Sequence, residues 1–259
     1  MTFRNRALRL IRQGSPAIGM FFGLASYDAA EIVSKIGLDW LLFDLEHGEI
    51  FFDSLPKLLA ATSASQTTPI VRLPSNDPVY AKLALDRGAQ GVMFPQVESK
   101  EEALRAVRAC KYPPHGVRGI GPRRAADYYT AVADYLKVAN DEIMVIMMIE
   151  SERSVENIDD ILSIEGIDGI MIGPFDLAAS MGYIESLPKR EKEVDYAIDT
   201  ILCAAKKHGI AAGMPAGGSH ELAISLIKKG FRIIEMGEDT DYLLRARQDL
   251  ERIRSGIGK

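Results

Sequence analysis

Cysteine is scarce, with only Cys110 and Cys203 among 259 residues. Both lie in stretches of helical spacing, and neither belongs to a Cys-x-x-Cys pair or adjoins a histidine. Neither a disulfide framework nor a zinc site is indicated. Long apolar runs are also missing: none approaches the roughly 18 residues of a membrane span. The first residues place Arg4, Arg6 and Arg9 among Leu8, Leu10 and Ile11, a short amphipathic helix rather than the apolar core of a secretory leader. A cytoplasmic protein with no membrane contact is expected. Excess positive charge is absent, since the net charge is -5 and the pI ≈ 5.5, which argues against a nucleic-acid partner. No Gly-x-Gly-x-x-Gly follows the first strand-like run, against a dinucleotide-binding sheet. Lysine is missing from every strand-like run, so a Schiff-base mechanism has no nucleophile to use.

With 47% hydrophobic and 26% charged residues, the chain is long enough to bury a barrel-sized core. Short apolar runs recur at 17–22, 40–45, 70–73, 91–94, 143–149, 169–172, 210–213 and 231–236. Segments of helical period follow most of them, at 27–36, 54–62, 78–87, 100–110, 153–163, 194–208, 220–229 and 241–253. This strand-then-helix alternation predicts an α/β (β/α)₈ TIM barrel. No linker interrupts it, so residues 1–259 read as one domain. The irregular stretch is 111–140, between the fourth and fifth strands, and it holds Arg118, Arg123 and Arg124. Long connections at a barrel's C-terminal rim often carry function. The three arginines either form a solvated basic loop or meet a carboxylate of a ligand.

The fifth and sixth runs organise the rest. Each stops at an acid, Glu150 and Asp176, and a helical segment joins them. Neighbouring parallel strands lie about 5 Å apart, so both carboxylates should project from one edge into one small volume. Paired carboxylates repel unless a proton or cation lies between them, and hard oxygen ligands suit magnesium or manganese, with cobalt as a further candidate. The alternative is that either acid caps the helix after it. The second run ends Asp44-Leu45-Glu46-His47, placing an imidazole beside acids as a candidate general base or a structural hydrogen-bonding residue. The third ends in Arg72, a cationic fork for a carboxylate or a developing oxyanion, or else a counter-charge for Glu150 or Asp44. Asp86 ends a helix against its dipole, which calls for a partner such as His47.

Asp-Leu-Glu-His at 44–47, Val-Arg at 71–72, Tyr-Pro-Pro-His-Gly-Val-Arg-Gly at 112–119, Ile-Glu at 149–150 and Glu-Gly-Ile-Asp-Gly-Ile-Met-Ile-Gly-Pro-Phe-Asp-Leu at 165–177 resemble the HpcH/HpaI aldolases, the metal-dependent class II pyruvate aldolases. The resemblance spans nearly the whole chain. It implies a barrel like those of phosphoenolpyruvate- and pyruvate-utilising enzymes, a divalent metal on Glu150 and Asp176, and Arg72 as partner of the enolate and keto oxygen. It further implies His47 with Asp86 as an acid/base dyad, Asp44 as a supporting acid, and backbone at Gly173, Pro174 and Phe175 for the pyruvate carboxylate. Arg123 is the candidate for an acceptor carboxylate. Homo-oligomers, commonly hexamers built as trimers of dimers, with the last helix exchanged between subunits, are implied as well. Phe175 stands where the family usually has Ser or Ala, Met148 replaces a frequent Gln, and Glu235 adds an acid at the eighth tip. A Phe at 175 should narrow or reshape the pocket.

The implied reaction is reversible cleavage of a 4-hydroxy-2-oxo acid into pyruvate and an aldehyde through a metal-stabilised enolate. Decarboxylation of oxaloacetate, or cleavage of a citramalyl-type substrate, would use the same enolate. A non-catalytic binding barrel is the alternative from another class.

Overall fold

The computed structural model describes residues 4–187, 189 and 191–257. Eight parallel strands close in chain order: β1 (Ala17–Phe22), β2 (Trp40–Asp44), β3 (Thr68–Arg72), β4 (Gly91–Phe94), β5 (Met144–Ile149), β6 (Gly169–Ile172), β7 (Ala211–Pro215) and β8 (Ile233–Glu238), with β8 paired to β1. The expected (β/α)₈ barrel is therefore observed. The helices are α1 (Arg6–Arg12), α2 (Tyr27–Ser34), α3 (Leu55–Ala61), α4 (Pro78–Asp86), α5 (Lys100–Cys110), α6 (Val132–Glu142), α7 (Glu152–Glu156), α8 (Ile158–Leu162), α9 (Pro174–Ser180), α10 (Lys192–His208), α11 (His220–Lys229) and α12 (Asp239–Gly256). Two expectations need correction. The irregular stretch at 111–140 ends in a helix, α6, and the single helix expected at 153–163 is two short ones that meet at Asn157.

Alternate residues of each strand face inward, and they set both the core and the site. The interior is filled by Ala17, Phe21, Trp40, Leu42, Ile70, Met93, Met144, Ile146, Met148, Met171 and Ile233. Methionines suit the irregular gaps at a barrel axis. Trp40 is the largest of these side chains, and its indole N–H donates to the Ala17 carbonyl at 3.1 Å. Its ring fits because Gly19 pairs with it across the sheet: a Cβ at residue 19 would lie 2.0 Å from the ring. Ala7, Leu8 and Ile11 of α1 join this cluster and close the barrel at its N-terminal end. Asn5 caps α1 by accepting from the Leu8 N–H, and its amide donates to the carbonyls of Gln90 and Glu142. With one end plugged, chemistry is confined to the strand tips at the other. No described helix is long and apolar enough to cross a membrane.

Candidate active site

Inward alternation carries Asp44 and Arg72 to the tips of β2 and β3, where they are direct register partners. The Arg72 guanidinium donates from Nε to Asp44 Oδ1 at 2.8 Å and from Nη2 to Oδ2 at 2.6 Å, a bidentate fork. Both side chains are more than nine-tenths buried. Burial alone would raise the Asp44 carboxyl, but the Arg72 hydrogen bonds and charge outweigh it and hold Asp44 below its usual range. Asp44 also shapes the turn after β2, accepting from the backbone N–H of Glu46 and His47. Arg72 lies over the Phe21 ring at 5.1 Å, its Nε is also 3.4 Å from Glu46 Oε2, and its remaining nitrogen, Nη1, reaches only the Met148 sulfur, at 3.9 Å, among the described residues. Of the two readings of Arg72, charge neutralisation is thus satisfied by Asp44, while Nη1 remains for another acceptor.

A cavity of about 370 Å³ opens at the tips of β2, β4, β5 and β6, lined by Glu46, His47, Gln96, Glu98, Glu102, Glu150, Ser151 and Asp176. Glu150, the residue after β5, is 7% exposed and accepts the Gln96 backbone N–H at 2.7 Å on Oε1. Gln96 holds a positive φ of 52° to make that bond, local strain of the kind that gathers at functional sites. The other oxygen, Oε2, fits because residue 173 is glycine: a Cβ there would stand 2.7 Å from it. Burial, reinforced by Glu46 and Asp176, pushes Glu150 up to about 7 despite the Gln96 bond. Asp176 does not stand at the tip of β6. That strand ends at Ile172, and Asp176 occupies the first turn of α9. It does not cap that helix, whose first turn has no side-chain cap, and its carboxylate makes no hydrogen bond or ion pair among the described residues. Two hard, under-neutralised carboxylates on one cavity fit a divalent cation. No group of three or more such side chains exists among the described residues, so a cation here would keep positions open to substrate and water.

The acid/base dyad is not assembled as expected. Asp86 is taken by the buried Arg118, whose Nη2 donates to Asp86 Oδ1 at 2.7 Å, and no hydrogen bond joins Asp86 to His47 among the described residues. The reason is local: Arg118 lies between the Tyr112 and Tyr135 rings, where its charge needs a carboxylate, and Asp86 supplies it. His47 stands at the cavity rim, two-thirds exposed, with Nε2 3.8 Å from Glu46 Oε2. Arg123 does not line the cavity either; its guanidinium lies over the Tyr128 ring at 5.8 Å. Arg124 is spent on the carbonyls of Arg87 and Leu59 and on Ser63. Phe175 is 58% exposed and is not among the residues that line the cavity. Of the backbone groups expected to hold a carboxylate, the Gly173 N–H is committed to Ile149 and Pro174 has none. That leaves the N–H groups of Phe175 and Asp176 at the uncapped start of α9. Glu46, which no spacing in the sequence singles out, lines the cavity, and burial raises its carboxyl above the usual range against the nearby Arg72.

Residues 17–246 match the family model described as HpcH/HpaI aldolase/citrate lyase. The chain belongs to the HpcH/HpaI aldolase family. It is 37% identical over 241 residues to a 4-hydroxy-2-oxo-heptane-1,7-dioate aldolase of Escherichia coli, covering 93% of this chain and 91% of that one. A hydroxypyruvate/pyruvate aldolase of Deinococcus radiodurans is 39% identical over 240 residues, or 92% and 85% of the two chains. Among solved structures, an HpcH/HpaI aldolase/citrate lyase family protein of Burkholderia cenocepacia superposes with a TM-score of 0.90 at 36% identity, covering 96% and 99%. Within this HpcH/HpaI member, the match spans every residue of the cavity and the Asp44–Arg72 pair.

Proposed function

We propose that this protein is a divalent-metal-dependent aldolase that reversibly splits a 4-hydroxy-2-oxo acid into pyruvate and an aldehyde. The observation that supports the reading is that Glu150 and Asp176, two carboxylates with no ion pair among the described residues, line one cavity beside the buried Asp44–Arg72 fork. Glu150 and Asp176 would hold the cation; when bound it supplies the Lewis acidity that makes a proton beside a keto group removable near neutral pH. Magnesium, manganese and cobalt are the ions to test. The chain's own groups do the rest. Arg72 Nη1 donates to the keto oxygen as charge gathers there, with Asp44 fixing the guanidinium plane. The Phe175 and Asp176 N–H groups orient the carboxylate. His47, at the open rim, takes the methyl proton directly or through one water and returns a proton to the new hydroxyl. The exposed Leu243, Leu244, Leu250 and Ile253 on α12 support a homo-oligomer in which this helix docks on a neighbour.

The test is deuterium exchange into the pyruvate methyl with each metal, followed by cleavage of a 4-hydroxy-2-oxo acid. Exchange that requires metal and is lost in Glu150→Ala, with the circular dichroism spectrum kept, is the expected result. Full turnover by a metal-free Glu150→Ala protein would overturn the reading. The competing reading, decarboxylation of oxaloacetate at the same site, predicts carbon dioxide release from oxaloacetate faster than any retro-aldol step.

A further inference from the structure

The charge around the cavity is one-sided. Glu46, Glu98, Glu102, Glu150 and Asp176 all line it. Of the neighbouring cations, Arg72 is shared between Asp44 and, at 3.4 Å, Glu46, and Arg153 is 68% exposed and no nearer than 3.9 Å to Glu98. Arg118 and Arg124 are committed elsewhere, to Asp86 and to carbonyls, and Arg123, exposed beside Tyr128, is not among the residues lining the cavity. A cation on Glu150 and Asp176 would offset those two acids; Glu46 has Arg72 beside it, which leaves Glu98 and Glu102. Glu102 has a structural duty, accepting the Glu98 N–H at 2.8 Å ahead of α5. Beyond the loose contact with Arg153, the Glu98 carboxylate has no hydrogen bond or ion pair among the described residues.

We infer, on the strength of the aldolase reading above, that the acceptor aldehyde of this enzyme is uncharged and hydroxyl-bearing, and that Glu98 disfavours aldehydes carrying a carboxylate. An ionised carboxylate accepts hydrogen bonds and donates none. A wall of such groups is satisfied by hydroxyl donors and repels a second anion, a like-charge placement that costs specificity for the wrong partner. In the synthetic direction the methyl carbon of pyruvate loses a proton and bonds to the aldehyde carbon, whose oxygen takes up a proton to become the hydroxyl. No part of that balance needs a charge on the distal end of the acceptor. The E. coli relative's substrate is by name a 1,7-dioate, so its aldehyde product carries a carboxylate; this chain departs from that preference.

The experiment compares succinic semialdehyde with its methyl ester, which has the same reacting carbons without the charge, and with glyceraldehyde, using the full-length protein loaded with metal. The ester and glyceraldehyde should exceed the free acid in kcat/KM by about tenfold or more. Rising ionic strength should narrow that gap by screening. Glu98→Gln should raise kcat/KM for the acid several-fold relative to the ester, and Glu98→Arg should raise it further. Equal use of acid and ester by the wild-type protein overturns the inference, as does a preference that neither salt nor the two Glu98 variants shift. Pyruvate methyl exchange is measured alongside. Its absence removes the aldolase reading and the inference together, whereas exchange followed by charge-blind addition removes the inference alone.

Discussion

Arg72 is a charge already matched, and that is what makes it useful. Its fork on Asp44 fixes the guanidinium plane, so Nη1, facing only the Met148 sulfur, is held ready for an oxygen that gains charge. Lysine at 72 would keep the charge and lose the fork. Arg72→Lys is expected to lower the pyruvate methyl exchange rate by about 10²–10³-fold, the scale of losing one pre-positioned oxyanion donor; exchange at the wild-type rate would show that the fork has no part in it. His47 belongs to the same scale. With Asp86 spent on Arg118, its orientation comes from the Asp44-centred turn and from Glu46. His47→Ala should cost exchange about 10²-fold or more, as expected for losing a general base. Exchange and metal binding measured together check it, because His47→Ala should leave the metal affinity in place; an undiminished rate would take His47 out of the mechanism. The sequence placed Asp44, His47, Arg72 and Glu150 at the rim because each follows an abrupt end of an apolar run. It put Asp86 at the end of its helix but not with its partner, because Arg118 comes from 32 residues further on, and no local pattern announces a pairing over that span.

At the scale of the element, the strands were legible to within about two residues because they are buried on both faces and stop where the apolar run stops. Asp176 shows the limit of that reading. It follows an apolar run closely, yet Pro174 begins a helix that lifts it off the sheet and into the first turn of α9. The division of α7 from α8 at Asn157 was equally hidden, since Val155, Ile158, Ile161 and Leu162 keep helical spacing across the break. Strand β1 makes the packing claim testable. Gly19 faces Trp40 across the β1–β2 pair, and an added Cβ would meet both the ring and the Trp40 carbonyl, at 2.0 and 2.4 Å. A fully buried indole that already donates to Ala17 has nowhere to retreat. Gly19→Ala should therefore cost about 3 kcal/mol, the upper end for overpacking a core, seen as a lower urea midpoint with an unchanged slope. A wild-type midpoint would mean that the β1–β2 register is not as described.

Closing the barrel creates an interior that no single strand foresees, and Glu235 is where that matters for the whole molecule. It lies in register with Gly19 of β1 and Pro215 of β7, is 2% exposed, and accepts the Gly217 N–H at 3.3 Å on Oε2, while Oε1 has no hydrogen-bond partner among the described residues. Burial, against the Gly217 and Gly237 N–H groups and helped by Glu238 and Asp241 nearby, pushes its carboxyl up to about 7 from 4.5. A folded-state value above the unfolded one means that the folded protein binds the proton more tightly. The stabilisation is then complete below about pH 4.5 and is lost as pH rises through about 7. At 1.36 kcal/mol per pH unit, the loss from this residue is on the order of 3 kcal/mol. Glutamine at 235 keeps the volume and removes the titration. The melting temperature of metal-free wild-type protein is expected to fall between pH 5 and pH 8 by several degrees more than that of Glu235→Gln. The difference should lie at the alkaline end, where the variant is the more stable of the two. Measuring without metal keeps ligand binding out of the comparison, and Glu150 contributes the same slope to both proteins. Parallel pH profiles for the two proteins would mean that Glu235 finds a partner in solution and that the barrel interior carries no unmatched acid at its eighth strand.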